Sequence, residues 1–182
     1  MNLLTPLVDP PVTLLPFADC HIEPLRAACA EDTTIWEIYP ISMYGAHFDG
    51  SLALLANRPN WQLFAVLNGP DVVGMTSFIN VDQAPAIVEI GGTYIAPSVR
   101  GTDFNLKMKT LLIEHAFAGG IGIVELRVDT RNGRSMRAVE KLGARRTGTL
   151  EKHMTTWTGY LRDSAVFHLT PADWARAAGA RS

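Results

Sequence analysis

The sequence predicts an α+β fold in one domain, with a mixed, mostly antiparallel sheet and a single helix crossover in its middle. Three observations carry this. Between residues 61 and 95, apolar or alternating segments are punctuated by turn chemistry, as antiparallel strands are. After Pro97 the pattern switches to helix, strand, helix, the order of a crossover connection. The remainder returns to strand patterns before a last helix. At 182 residues the chain suits one domain of ordinary size, able to bury roughly 70% of its unfolded surface.

The elements follow in order. After a proline-rich lead-in, Val12 to Pro16 reads as a short strand. Helical segments are expected at about 19–30 and 33–57, the second interrupted at Pro40. Trp61 to Leu67 is nearly all apolar, as a buried strand is. Asn68-Gly69-Pro70-Asp71 is turn chemistry, and Val72 to Ile79 is the returning hairpin partner. Ala86 to Ile95 is a third strand, whose Gly91-Gly92 pair implies a bulge or a close backbone approach. Over 104–119, Phe104, Met108, Leu111, Leu112 and His115 share one helical face, with Gly119-Gly120 as the stop. Val124, Leu126 and Val128 alternate with Glu125, Arg127 and Asp129 in a half-buried strand. Asn132 caps a short helix whose Met136, Val139 and Leu142 face the core, and Gly143 ends it. Segments 145–157 and 163–169 read as strands, and Thr170-Pro171 opens a C-terminal helix over 170–182.

Composition narrows the function classes. With 47% apolar and 19% charged residues the chain is not a disordered one, and a net charge of −2 gives no drive toward nucleic acid or membrane partners. The opening MNLLTPLVDPPVTLLPF is apolar, but it lacks a basic start and is broken by prolines. Neither a signal peptide nor a membrane span is expected, and a cytoplasmic setting is. Cys20 and Cys29 lie nine apart in one helical stretch without a CxxC pattern, so both read as buried, reduced thiols. His21, His47, His115, His153 and His168 show no HxxxH or HExxH spacing, and no metal is expected.

The strand-to-helix turn Ser98-Val99-Arg100-Gly101-Thr102-Asp103 has a mechanism for binding anions. A helix start leaves N–H groups unpaired and carries partial positive charge. Gly101 lets a diphosphate approach the backbone, and Arg100, Lys107 and Lys109 supply mobile positive charge. The alternative is that Gly101 merely makes the turn and the lysines solvate a surface. No GK[ST] follows, so this is not a Walker loop, and it is not a dinucleotide fingerprint, which needs two more glycines.

The run PSVRGTDFNLKMKTLLIEHAF, followed by VELRVDTRNGRSMRAVEKLGARRTGTLEKH, resembles the GNAT superfamily of acetyl-coenzyme A-dependent N-acetyltransferases. More narrowly it looks like the branch containing ribosomal-protein N-terminal (alanine/serine) acetyltransferases. The resemblance covers about 86–169, leaving 1–85 as the variable part of the fold. It implies that residues 97–143 hold acetyl-coenzyme A, with Arg100, Gly101, Thr102, Asp103, Phe104 and Asn105 at the phosphates. Of the superfamily's signature (Gln or Arg, two residues, Gly, one residue, Gly or Ala), Ser98, Gly101 and Asp103 occupy the three positions, and only Gly101 matches. Asp103 is expected to cap the following helix. By the same resemblance the glycine-bearing strand bulges and parts from the next one. A backbone N–H around Thr93, Tyr94 and Ile95 then polarises the thioester carbonyl, and Asn132 and Ser135 contact the coenzyme.

Amine acetylation by direct attack also needs a proton acceptor and a group to reprotonate the thiolate. Glu89, between Val88 and Ile90, is the first candidate for the base, because desolvation there would raise its pKa. Glu151 and His153, two apart and so expected on one strand face, are the alternative pair. The resemblance places Ser135 near the coenzyme sulfur, where it or an ordered water would serve as the acid. Trp36 and Tyr39 either line the acceptor opening or sit in the core. The acceptor is expected to be a primary amine, either a protein or peptide N-terminus or a small molecule. Glu23, Glu31, Asp32, Glu37 and Asp49 would favour a cationic one, unless they are simply a solvated face. A non-catalytic acyl-coenzyme A-binding or sensor module is the rival function. Monomer and homodimer both stay open.

Overall fold

The structure is a computed structural model and describes residues 2–81 and 86–181. Its strands are β1 (Leu7–Asp9), β2 (Val12–Pro16), β3 (Trp61–Asn68), β4 (Asp71–Ile79), β5 (Ile87–Ile95), β6 (Ile123–Asp129), β7 (Arg145–Thr155) and β8 (Leu161–Leu169). Its helices are α1 (Ile22–Ala30), α2 (Phe48–Ala56), α3 (Phe104–Ala118), α4 (Gly133–Lys141) and α5 (Pro171–Arg181). The strands make one sheet in the order β1-β2-β3-β4-β5-β6-β8-β7. Every pairing is antiparallel except that of β5 with β6, which the α3 crossover makes parallel.

The two sheet faces bury separate cores. On one, Phe64, Phe78, Val88, Val124, Leu126 and Phe167 pack with Met108, Leu112 and Ile113 of α3. On the other, Leu63, Met75 and Tyr94 pack with Leu25, Cys29, Trp36, Phe48 and Leu52 from α1, α2 and the segment between them. The period-2 reading of β6 holds, with Val124, Leu126 and Val128 inward. Met136, Val139 and Leu142 face the core as expected.

Two expectations about elements and one about a cysteine need correction. The lead-in contains a strand, β1, which pairs with β2 across the Pro10-Pro11 turn. Residues 33–57 do not form one interrupted helix. A 3₁₀ turn at Thr34–Ile38 ends at Tyr39, which is extended (φ −90°, ψ 153°), and helix resumes only at Gly45–His47 and α2. Pro40 is the cause, since its ring excludes helical angles from the residue before it. Cys20 is exposed, whereas Cys29 is buried, which pushes its thiol up to about 12. Ser182, the end of the expected C-terminal helix, lies outside the described residues.

Candidate active site

The site begins where two strands part. β5 and β6 pair only through Ile87↔Ile123, Val88↔Val124 and Glu89↔Glu125. Beyond Glu89, β5 follows β4 while β6 continues to Asp129 beside β8. The expected bulge is present. Met75 faces Tyr94 and Ser77 faces Gly91, so Gly92 and Thr93 together oppose Thr76, and Gly92 supplies the left-handed angle (φ 59°). One extra residue resets the alternation, bringing Tyr94 onto the face of Glu89 and Gly91. Ala96 N–H donates to Val73 O on β4 at 2.7 Å. By alternation, the backbone groups of Thr93 and Ile95 turn toward the parted side. Their carbonyls are already engaged there: Tyr39 OH donates to Thr93 O at 2.7 Å, and Arg100 Nε donates to Ile95 O at 2.8 Å.

The loop before α3 leaves room for a ligand. Gly101 has φ +79°, and a Cβ there would meet no atom within 4 Å. Thr102, Asn105 and Leu106 line a cavity of about 300 Å³ bounded on its far side by Ala138 and Lys141 of α4 and by Leu142 just after it. Asp103 occupies the position before the helix, but its side chain makes no cap. Thr102 does so instead: its Oγ1 accepts from Phe104 N–H at 3.2 Å and donates to Val99 O at 2.9 Å. Asp103 is drawn outward by Lys107, 3.4 Å away.

The expected mobile charges are not all mobile. Arg100 is pinned by Asp32 as well as by Ile95 O. Lys109 is buried on the inner face of α3, where its Nζ donates to Thr93 Oγ1 at 2.8 Å, and that hydroxyl bonds Thr76 Oγ1. Desolvation lowers the Lys109 pKa to about 7. The expectation treated both lysines as surface residues, but the helical period turns Lys109 inward beside Met108, Leu112 and Ile113.

Glu89 lies at the fork. Its side chain is 12% exposed, and Arg127 Nε stands 3.5 Å from its carboxylate. Burial raises its pKa, Arg127 and Arg162 oppose that, and Glu125 across the register adds to it. A Cβ on Gly91 would sit 2.9 Å from Glu89 Oε1, so Gly91 clears the volume that the carboxylate uses. Glu125 is occupied by Arg127 at 2.7 Å and His168 Nε2 at 2.9 Å. Sequence reasoning missed Arg127, although its place on the polar side of the β6 alternation was visible.

Asn132 caps α4 as expected, its Oδ1 accepting from Ser135 N–H at 3.0 Å. Glu151 and His153 do not share a face. Lys152 takes φ 47° at an irregularity between Leu150 and Met154, which breaks the alternation. Glu151 is exposed, while His153 Nδ1 lies 3.2 Å from Ser164 Oγ. Trp36 is core, stacked on Tyr94 with ring centroids 4.7 Å apart, whereas Tyr39 is tied to Thr93 at the fork. Among the described residues, no group of three or more His, Cys, Asp or Glu side chains gathers to hold a metal ion, and no helix is long and apolar enough to cross a membrane.

A parted sheet, a glycine turn feeding the crossover helix and a desolvated carboxylate at the fork describe an acyltransferase enzyme. The chain belongs to the acetyltransferase (GNAT) domain family, whose profile matches residues 12–145. It superposes on a GCN5-related N-acetyltransferase from Brucella melitensis with a TM-score of 0.86 and 25% identity, covering 97% of this chain and 83% of that one. A probable GNAT-family acetyltransferase from Chromobacterium violaceum matches with a TM-score of 0.84 and 27% identity over 94% of this chain and 89% of the other. RimJ of Mycobacterium smegmatis, in complex with a coenzyme A disulfide, shares the fold with a TM-score of 0.78 at 19% identity, over 97% and 93% of the two chains. No curated protein sequence matches the chain. Family and fold make this an acetyltransferase drawing on acetyl-coenzyme A.

Proposed function

We propose that the enzyme acetylates a primary amine by direct attack, with Glu89 as the base. The acceptor is a peptide or protein N-terminus, as the ribosomal-protein branch would use, or a small amine. The observation that carries this reading is the Glu89 carboxylate, desolvated at the point where β5 and β6 part. A raised pKa suits it to take a proton from an ammonium group, directly or through water.

The open cradle at Gly101 and the cavity between α3 and α4 suit the phosphates and pantetheine of acetyl-coenzyme A, which supplies the acetyl thioester. Arg100, Gly101, Thr102, Asp103, Phe104 and Asn105 are assigned to that end, with Asp103 turned outward so that its charge leaves the turn. The N–H groups around Thr93, Tyr94 and Ile95, beside the parting of the strands, are assigned as donors to the coenzyme and the thioester carbonyl. With Glu89 holding the proton, the acceptor nitrogen attacks the carbonyl carbon, the C–N bond forms and the C–S bond breaks. Ser135, whose backbone N–H is held by Asn132 at the start of α4, or an ordered water relays to the departing thiolate the proton that the acylated nitrogen sheds.

Glu89→Gln tests the assignment. Turnover should fall by roughly 10²- to 10⁴-fold, while acetyl-coenzyme A binding, measured by calorimetry, stays within about twofold of wild type on the ΔΔG expected away from the coenzyme. The wild-type rate should rise with pH through a carboxylate pKa above the usual range, and the variant should lose that limb. Normal turnover by Glu89→Gln at neutral pH removes Glu89 from the reaction.

A further inference from the structure

A buried guanidinium on β8 has a shielded nitrogen with no hydrogen bond to make. The side chain of Arg162 is 9% exposed, and its shielded Nε has no hydrogen-bond partner among the described residues. Its closest anion, Asp129 Oδ2, is 3.7 Å away, beyond hydrogen-bonding range. That carboxylate is already held by Arg131, through Nε at 3.0 Å, Nη2 at 2.8 Å and the backbone N–H at 2.9 Å. Asp129 therefore offers Arg162 charge but no hydrogen bond, and leaving a buried N–H donor unsatisfied is unfavourable.

Its position says where a partner would come from. Arg162 shares a face of β8 with Ser164 and His168, which register with Asp129 and Glu125 of β6. Glu125 in turn registers with Glu89. Arg127 stands between, its Nε 3.5 Å from Glu89. Two guanidinium groups therefore line one wall of the fork, on the face where Glu89 would receive the acceptor. Three of the five acidic residues expected to attract a cation are spent elsewhere: Asp32 on Arg100, and Glu23 and Asp49 on Arg26.

We propose that Arg162, with Arg127 beside it, docks an anionic group of the acceptor, a carboxylate or a phosphate, so that the acceptor is an amine carrying a negative charge several ångströms from its nitrogen. This rests on the assignment of Glu89 as the base, because it places the amine at that end of the wall.

The test is calorimetry with coenzyme A present, titrating γ-aminobutyrate, phosphoethanolamine, neutral γ-aminobutyramide and putrescine into the wild type, Arg162→Met and Arg162→Lys. The wild type should bind one of the two anionic amines roughly 10- to 100-fold more tightly than the neutral and dicationic ones. Arg162→Met should erase that ratio and Arg162→Lys restore part of it. Which anion binds better distinguishes carboxylate from phosphate. Methionine fills a similar volume and removes a buried unsatisfied donor, while Asp129 keeps Arg131, so Arg162→Met should melt at or above the wild-type temperature. The proposal is overturned by equal binding of all four amines, by a preference for anions that survives Arg162→Met, or by a lowered melting temperature with loss of coenzyme A binding. Glu89→Gln keeps the two readings apart: it should stop turnover and leave the binding ratio intact. If it turns over normally, only the base assignment fails.

Discussion

Gly101 and its neighbours divide the work of one turn between backbone and side chain. The left-handed angle at Gly101 excludes a β-carbon at low cost, and the space in front of it is open. Gly101→Glu should therefore both strain the turn and fill that space with a carboxylate. Acetyl-coenzyme A at ~100 times its Kd stabilises a binding protein by about 2.7 kcal/mol, and thermal melting of the variant should show none of that gain. The need for a glycine here was legible in the sequence, because it follows from a strand running into a helix start. The capping residue was not. Asp103 and Thr102 both carry cap chemistry, and the choice fell to Thr102 through a bond back to Val99 O that no local pattern announces. Glu89 was legible as a carboxylate in an apolar strand, but Arg127 reaches it across the register, and the room that Gly91 leaves for its carboxylate follows from how that side chain folds back along its own strand.

Elements were legible where periodicity or turn chemistry decided them alone. The hairpin at Gly69-Pro70, the β5 bulge and the Asn132 cap fall in this class, because each is fixed within a few residues. The segment around Pro40 was misread because its apolar residues suit a helix, while the proline withdraws the angles that one needs. β1 escaped because three residues carry too little pattern to signal a strand. Gly143 shows how an element boundary is also a packing contact. It ends α4 at φ +96°, and a Cβ there would stand 2.7 Å from Ala177 Cβ and 3.0 Å from Asp173 O of α5. Gly143→Ala should destabilise the chain by about 1–3 kcal/mol, read as a lower denaturation midpoint with an unchanged denaturant slope.

For the molecule as a whole, the informative group is Lys109, whose burial couples the fold to pH. Its pKa is about 7 when folded, against 10.5 for the unperturbed side chain. Between those values the unfolded chain holds a proton that the folded chain has released. Stability should therefore rise with pH across this window, by about 1.4 kcal/mol per unit where the linkage is complete, and be lost again as pH falls toward 7. Lys109→Met should flatten that slope in denaturant titrations across the window. The sequence could not reveal this linkage, because a lysine two residues from another reads as a solvated pair until the core claims one of them. Burial also gives Lys109 its place at the fork, where it holds the Thr93 hydroxyl, which in turn bonds that of Thr76. A sheet that opens in its middle exposes an internal edge, and such edges invite a strand from another chain. Here the carbonyls of Thr93 and Ile95 are already taken by Tyr39 and Arg100, so β5 has two acceptors fewer to offer there. An intruding strand, which must both give and receive hydrogen bonds, finds two of the acceptors it needs already spent, whereas a ligand that brings its own carbonyl oxygens does not depend on them.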